Sequence, residues 1–189
     1  MSLTEIEYDK VNAFSNLLID YNLNNSHFSD LISNFPTLDN LNKQISFKSK
    51  NYNNQFRESL VKEIGNQYKG IKLSEIQKQN INKLLEKDTY TITTGHQLNL
   101  LTGPLYFIYK IISTINLSET LKKNYPEFDF VPIYWMASED HDFDEINNFS
   151  FQGSKFKWSS NQTGVVGEFK LDSINDVIIE FEKYVSDSP

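Results

Sequence analysis

Tyr90-Thr91-Ile92-Thr93-Thr94-Gly95-His96-Gln97 is the stretch on which the fold of this chain turns. The β-branched run from Tyr90 to Thr94 predicts a strand, and Gly95 after it predicts a turn. A little further on, Thr102 or Gly103 can cap a helix with Pro104 in its first turn, where a missing amide hydrogen costs nothing. Leu105, Ile108, Ile111, Ile112, Ile115 and Leu121 continue that helix on one broad apolar face to about Asn124. Past Pro126, Phe128-Asp129-Phe130-Val131-Pro132-Ile133-Tyr134-Trp135-Met136 resumes β character. Pro132 suits an edge position or a strand start there. Strand, helix and strand in this order predict a βαβ unit, with parallel strands and a right-handed crossover.

Upstream the pattern is helical. Phe14, Leu17, Leu18 and Tyr21 recur at three- and four-residue spacing, as do Tyr52, Phe56, Leu60, Val61, Ile64 and Tyr68. Between these two predicted helices, residues 34–49 hold Pro36 and several asparagines, which predicts a loop. Ser74-Glu75-Ile76-Gln77 fits a capping box at the start of another helix, with Ile76, Leu84 and Leu85 as a partial apolar face. Downstream, Phe149, Phe151, Phe156 and Trp158 alternate around Gln152-Gly153-Ser154. With Val165-Val166 and Glu168-Phe169-Lys170-Leu171 after them, that predicts a hairpin or a small meander. Ser173 then caps a helix carrying Ile174, Val177, Ile178, Phe181 and Val185.

The chain therefore divides into a mainly helical segment, residues 1–89, the first part of an α/β core, residues 90–148, and a region with antiparallel strands, residues 149–189. Two parallel strands are too few for a complete doubly wound sheet, so an amino-terminal fragment of something larger is expected.

Composition narrows the class. In 189 residues, a hydrophobic share of 39% and an aromatic share of 14% supply enough apolar material for a packed core and argue against disorder. A net charge of −7 works against a nucleic-acid backbone or an anionic membrane as the main partner. No apolar run reaches the roughly 18 residues of a membrane span, and no basic start leads into an apolar leader, so a cytoplasmic protein is expected. With no cysteine there is no disulfide, no thiolate nucleophile and no cysteine-held metal.

Function should lie just past the carboxyl ends of the two strands, where open α/β sheets bind ligands. Thr94, Gly95, His96 and Gln97 follow the first strand, with Tyr106 and Lys110 at the start of the helix. Trp135, Glu139, Asp140 and His141 follow the second. Gly95 and the helix start could present backbone N–H groups to a carboxylate or phosphate. Lys110 could pair with the same kind of group or be an ordinary surface lysine. His96 could move a proton, contact a phosphate or satisfy backbone groups in its loop. Trp135 either walls a pocket or packs in the core. The acidic run allows three readings. Asp140 and His141 could form a carboxylate-oriented base that takes an amine proton or binds an ammonium. Carboxylates and histidine could hold a metal, but the spacing fits no zinc signature and no metal site is expected. Asp144 and Glu145 fit the solvated first turn of a helix.

Taken together, Gly95-His96-Gln97, Leu100-Leu101-Thr102-Gly103-Pro104-Leu105-Tyr106 with Lys110, Pro132-Ile133-Tyr134-Trp135 and Glu139-Asp140-His141-Asp142-Phe143-Asp144-Glu145-Ile146-Asn147 resemble the BshC family, the cysteine ligases of bacillithiol biosynthesis. The match covers about fifty residues, specific in combination and weak in any single piece. The resemblance implies a partial Rossmann-like parallel sheet of the class I aminoacyl-tRNA synthetase type. It further implies an inserted connecting region beginning near Phe149, and a carboxyl-terminal coiled coil outside this chain that could make the full-length protein a homodimer. It implies a ligase adding L-cysteine to glucosaminyl-malate, a chemistry for which the residues themselves offer His96, Gln97, Asp140 and His141 as catalytic candidates. Thr94, Gly95, Tyr106, Lys110, Trp135 and Glu139 become the candidates for substrate binding. ATP or another nucleotide is compatible as activator, although the chain has neither a P-loop nor the paired histidines of the HxGH motif. Competing classes are a nucleotide- or sugar-phosphate-binding module without turnover and, more remotely, a metal-dependent hydrolase.

Overall fold

A computed structural model describes residues 4–23, 28, 30–101 and 103–186. Thr102, one of the two candidate helix caps, lies outside the described residues. The chain falls into two units, divided between Asn53 and Asn54.

The first unit is helical. Ser15 accepts from the Leu18 amide at 3.3 Å and starts α1 (Asn16–Asn22). The helix α2 (Leu38–Asn51) occupies most of the stretch expected to be a loop. The correction has a local cause: Thr37, just after Pro36, accepts from the Asn40 amide at 3.3 Å, so the proline precedes the helix rather than breaking it. Asn40 also donates its side chain to Phe35 O, which makes one of the supposed loop formers part of the cap. Tyr21 packs its ring against Phe28 and Phe35, and Ile45 is buried.

The second unit begins with α3 (Phe56–Gln67) and α4 (Glu75–Lys83). Tyr52 and Tyr68, both expected within the former helix, lie outside it: Tyr52 closes α2 and Tyr68 closes α3. Ser74 and Gln77 form the expected capping box. Arg57 ties these helices to the sheet: its guanidinium donates to the carbonyls of Leu84, Lys87 and Thr89 at 3.0 to 3.2 Å. There β1 (Thr89–Gln97) begins. It runs through Gly95 to Gln97 instead of turning at the glycine, paired in parallel with β2 (Asp129–Ala137) from Thr89↔Asp129 to Gln97↔Ala137. The glycine serves close approach. A Cβ on Gly95 would stand 2.9 Å from Trp135 O and 3.1 Å from Trp135 Cβ, so a side chain would push the strands apart. Pro132 sits within β2 opposite Ile92, on a strand whose other edge is unpaired among the described residues.

Between the strands runs α5 (Leu105–Asn124), completing the expected βαβ unit. Pro104 is its extended N-cap (φ −70°, ψ 153°), not a first-turn residue, and Gly103 does not cap it; the Gly103 amide donates to Leu100 O. The buried side of α5 also differs from the apolar face expected. Thr114, Ser118 and Leu121 are buried, whereas Leu105, Ile108, Ile112 and Ile115 are exposed. Small hydroxyl residues suit close packing because each satisfies itself on the preceding turn: Thr114 donates to Lys110 O and Ser118 to Thr114 O.

After the single turn of α6 (Phe143–Ile146), β3 (Asn148–Phe151) and β4 (Ser154–Lys157) form the expected antiparallel hairpin. Gln152 (φ 47°) and Gly153 (φ 82°) both take the left-handed conformation that a tight two-residue hairpin turn requires. Trp158 extends the ladder by donating its amide to Asn147 O at 2.7 Å. Of the two expected alternatives the hairpin forms and the meander does not: Val166–Glu168 is a short 3-10 turn, not a strand. Ser173 stands directly before α7 (Ile174–Ser186) and accepts from Trp158 Nε1 at 2.8 Å. Leu100, Phe156, Trp158 and Val177 form one buried cluster, lined by Phe143, Phe149, Phe169, Ile174, Phe181 and Tyr184.

Candidate functional site

Because β1 and β2 are parallel and end in register, the segments after Gln97 and Ala137 leave the same edge of the sheet. Consecutive strand residues point to opposite faces, so His96 and Gln97 address different neighbours.

His96 belongs to the helix side. Its Nε2 lies 2.9 Å from the Tyr106 hydroxyl and its ring stacks on that phenol, with Phe107 edge-on. Asn99 adds a side-chain contact to His96 Nδ1 at 3.4 Å and donates to Gln97 O at 2.9 Å, fixing the turn after the strand. Lys110, one turn beyond Tyr106, donates to Gly95 O at 3.2 Å and stands 5.5 Å from the Tyr106 ring centre. Tyr134 reaches across from β2 to donate to His96 O, and burial pushes its phenol pKa up. The helix side thus offers a phenol, an imidazole and an exposed ammonium, groups suited to an anionic oxygen.

Gln97 belongs to the acidic side. Its side-chain nitrogen donates to Asp140 Oδ2 and to Glu145 Oε2, both at 2.9 Å, so one amide bridges two carboxylates. The other Asp140 oxygen accepts the Asp142 amide at 2.8 Å. That amide, then the Gln97 side chain, holds the Asp140 carboxyl below the usual carboxylate range. Asp144 and Glu145 fall in the first turn of α6, as expected. Asp140 is joined to Gln97 and the Asp142 amide rather than to the imidazole of His141, which is exposed.

Of the ten candidates, His96, Tyr106, Lys110 and Gly95 meet in one group, and Gln97 and Asp140 in another. Thr94 lies in β1 opposite Tyr134 without joining either. Glu139 is exposed, and Trp135, at 60% exposure, is not a core aromatic. Asn99, Tyr134 and the bridging role of Glu145 were not anticipated. Asn99 falls between the two quoted stretches that end at Gln97 and begin at Leu100, and no spacing rule points to it; Tyr134 and Glu145 act only through contacts to the end of β1 from distant parts of the chain.

The whole chain, residues 1–189, matches the family model described as bacillithiol biosynthesis BshC, N-terminal Rossmann-like domain. It is 49% identical over 173 residues to a Flavobacterium johnsoniae protein named "Putative cysteine ligase BshC", an alignment covering 92% of this chain and 33% of that protein. Proteins of the same name from Flavobacterium psychrophilum and Christiangramia forsetii are 48% and 50% identical. Those alignments cover 94% and 91% of this chain and 34% and 33% of the relatives. The chain therefore spans about a third of the length of the curated relatives it matches.

Proposed function

The chain belongs to the bacillithiol biosynthesis BshC family, over its N-terminal Rossmann-like domain, and from that premise we propose that it supplies part of the site where a cysteine ligase joins L-cysteine to glucosaminyl-malate. The observation that carries this reading is the bridge from Gln97 to Asp140 and Glu145, which couples the end of β1 to the acidic loop after β2.

Amide formation requires the sugar amine to attack an activated cysteinyl carbonyl; the acyl leaving group departs and the nitrogen loses a proton. A carboxylate held strongly ionised is a weak proton acceptor but a good partner for an ammonium. Asp140, oriented by Gln97 and by the Asp142 amide, accordingly binds and aims the glucosaminyl-malate ammonium. Exposed His141 beside it is available to take the proton once the amine is placed. Across the strand end, Tyr106 and Lys110 bind an anionic group, a substrate carboxylate or the phosphate of an activating nucleotide, with His96 holding the phenol. Residues 90–148 are read as the first part of a catalytic core of the class I aminoacyl-tRNA synthetase type, with 1–89 as its helical lead-in. Residues 149–189 are read as the start of an inserted connecting region.

The test is mass spectrometry of product from the whole protein supplied with cysteine and glucosaminyl-malate, with and without ATP and magnesium. A product of bacillithiol mass is expected, and the ATP comparison identifies the activator. Saturable nucleotide or sugar-phosphate binding with no product under any condition would overturn the ligase reading in favour of a binding module.

A further inference from the structure

The turn after β2 has little backbone bonding of its own. The Ser138 amide reaches Met136 O at 2.8 Å, but that of Asp140 is a long 3.5 Å from Ala137 O. What holds the turn comes from the 3-10 segment far downstream. The Val166 amide donates to Asp140 O at 2.8 Å and the Gly167 amide to Ser138 O at 2.9 Å. These two carbonyls flank Glu139, so consecutive amides grip the acidic loop on both sides of it. The grip is itself anchored: Val166 is buried, and Phe169 packs 5.2 Å from Phe143, the first residue of α6. The approach is also too close for a side chain. A Cβ on Gly167 would lie 2.6 Å from Ser138 Cβ and 2.7 Å from its carbonyl oxygen.

We propose that Gly167 is a positioning residue, which with the Val166 amide fixes the Ser138–Asp140 backbone so that the Asp140 carboxylate meets both Gln97 and the Asp142 amide. The inference rests on the reading of Asp140 as a substrate-binding group. A methyl at Gly167 forces the loop away from the strap, and a misplacement on the order of 1 Å at a reacting site costs on the order of 100-fold in rate.

In the whole protein, Gly167→Ala is expected to lower kcat/KM by roughly 10- to 100-fold with little change in melting temperature. Adding Ser138→Gly, which removes the nearer of the clashing atoms, is expected to restore part of the loss. Val166→Pro removes the amide that holds Asp140 O, and the extended backbone of Val165 (φ −72°, ψ 128°) suits a residue before proline, so a similar loss is expected. Wild-type kcat/KM in both single variants would overturn the inference. Asp140→Asn measured beside them separates the layers: a large loss there with none at positions 166 and 167 removes only the positioning role, whereas no loss at Asp140 removes the reading beneath it. Should a variant not fold, amide exchange on the unaltered protein decides. Slow exchange at Val166 and Gly167 is expected, and exchange as fast as in an open loop would overturn the grip.

Discussion

His96 and Gln97 are neighbours in one strand, yet they head two unlike groups. On the helix side, His96, Tyr106 and Lys110 gather donors whose charge is zero or positive, and Tyr106 and Lys110 are well exposed. On the acidic side, Gln97 draws Asp140 and Glu145 together against their mutual repulsion, and the Asp142 amide fixes the first of them. Alternation along a strand is what allows two adjacent residues to serve opposite charges. One edge can then receive an ammonium and an anion without the protein's own charges cancelling each other.

The sharpest way to break that comparison is Asp140→Asn, expected to reduce kcat/KM roughly 100-fold because it removes the charge-assisted contact proposed for the ammonium while keeping the shape. A loss confined to KM for cysteine would move the carboxylate to the other substrate. Next in size, Gln97→Leu is expected to cost roughly 10-fold and to shift the pH profile. The Asp140 carboxyl is held below its ordinary value, so activity that needs its charge persists to lower pH than a free aspartate would allow. Without the Gln97 donor its pKa rises, and the acidic limb of the profile moves to higher pH. The Asp142 amide, the larger cause, still holds part of the depression. A limb that does not move would mean that Asp140 does not control it.

Lys110→Met, on the helix side, is expected to raise KM by roughly 5- to 10-fold for whichever reactant carries the anion, with kcat nearly unchanged, as fits uniform binding. Smallest is Tyr106→Phe, a change of about 3-fold, since it removes one neutral hydroxyl and leaves the stacked ring in place. If the helix-side variants proved costlier than those at Asp140 and Gln97, the assignment of the two sides would be reversed.

Much of this arrangement was legible in the residues. The capping box at Ser74 and Gln77, the tight turn at Gln152-Gly153 and the βαβ order all rest on local chemistry, and each stands where local chemistry placed it. Reading failed where the deciding partner was distant or the local cue had two meanings. Pro36 reads locally as loop punctuation, but with Thr37 behind it the same proline leads into a capped helix. Gly95 suggests a turn because a glycine allows one; its actual use, admitting the Trp135 backbone, depends on a strand forty residues later in the chain. Helical spacing identified α5 but not which side is covered, since buried Thr114 and Ser118 carry no apolar signal. Likewise the motifs located the site, while the bond from Gln97 to Asp140 spans 43 positions and no spacing rule reaches that far.

The most direct test of a two-sided site is the affinity of the whole protein for glucosaminyl-malate and for its N-acetylated form, which lacks the ammonium, measured for wild type, Asp140→Asn and Lys110→Met. Wild type should prefer the free amine, Asp140→Asn should lose that preference, and Lys110→Met should keep it. A preference for the amine that survives unchanged in Asp140→Asn would contradict the account.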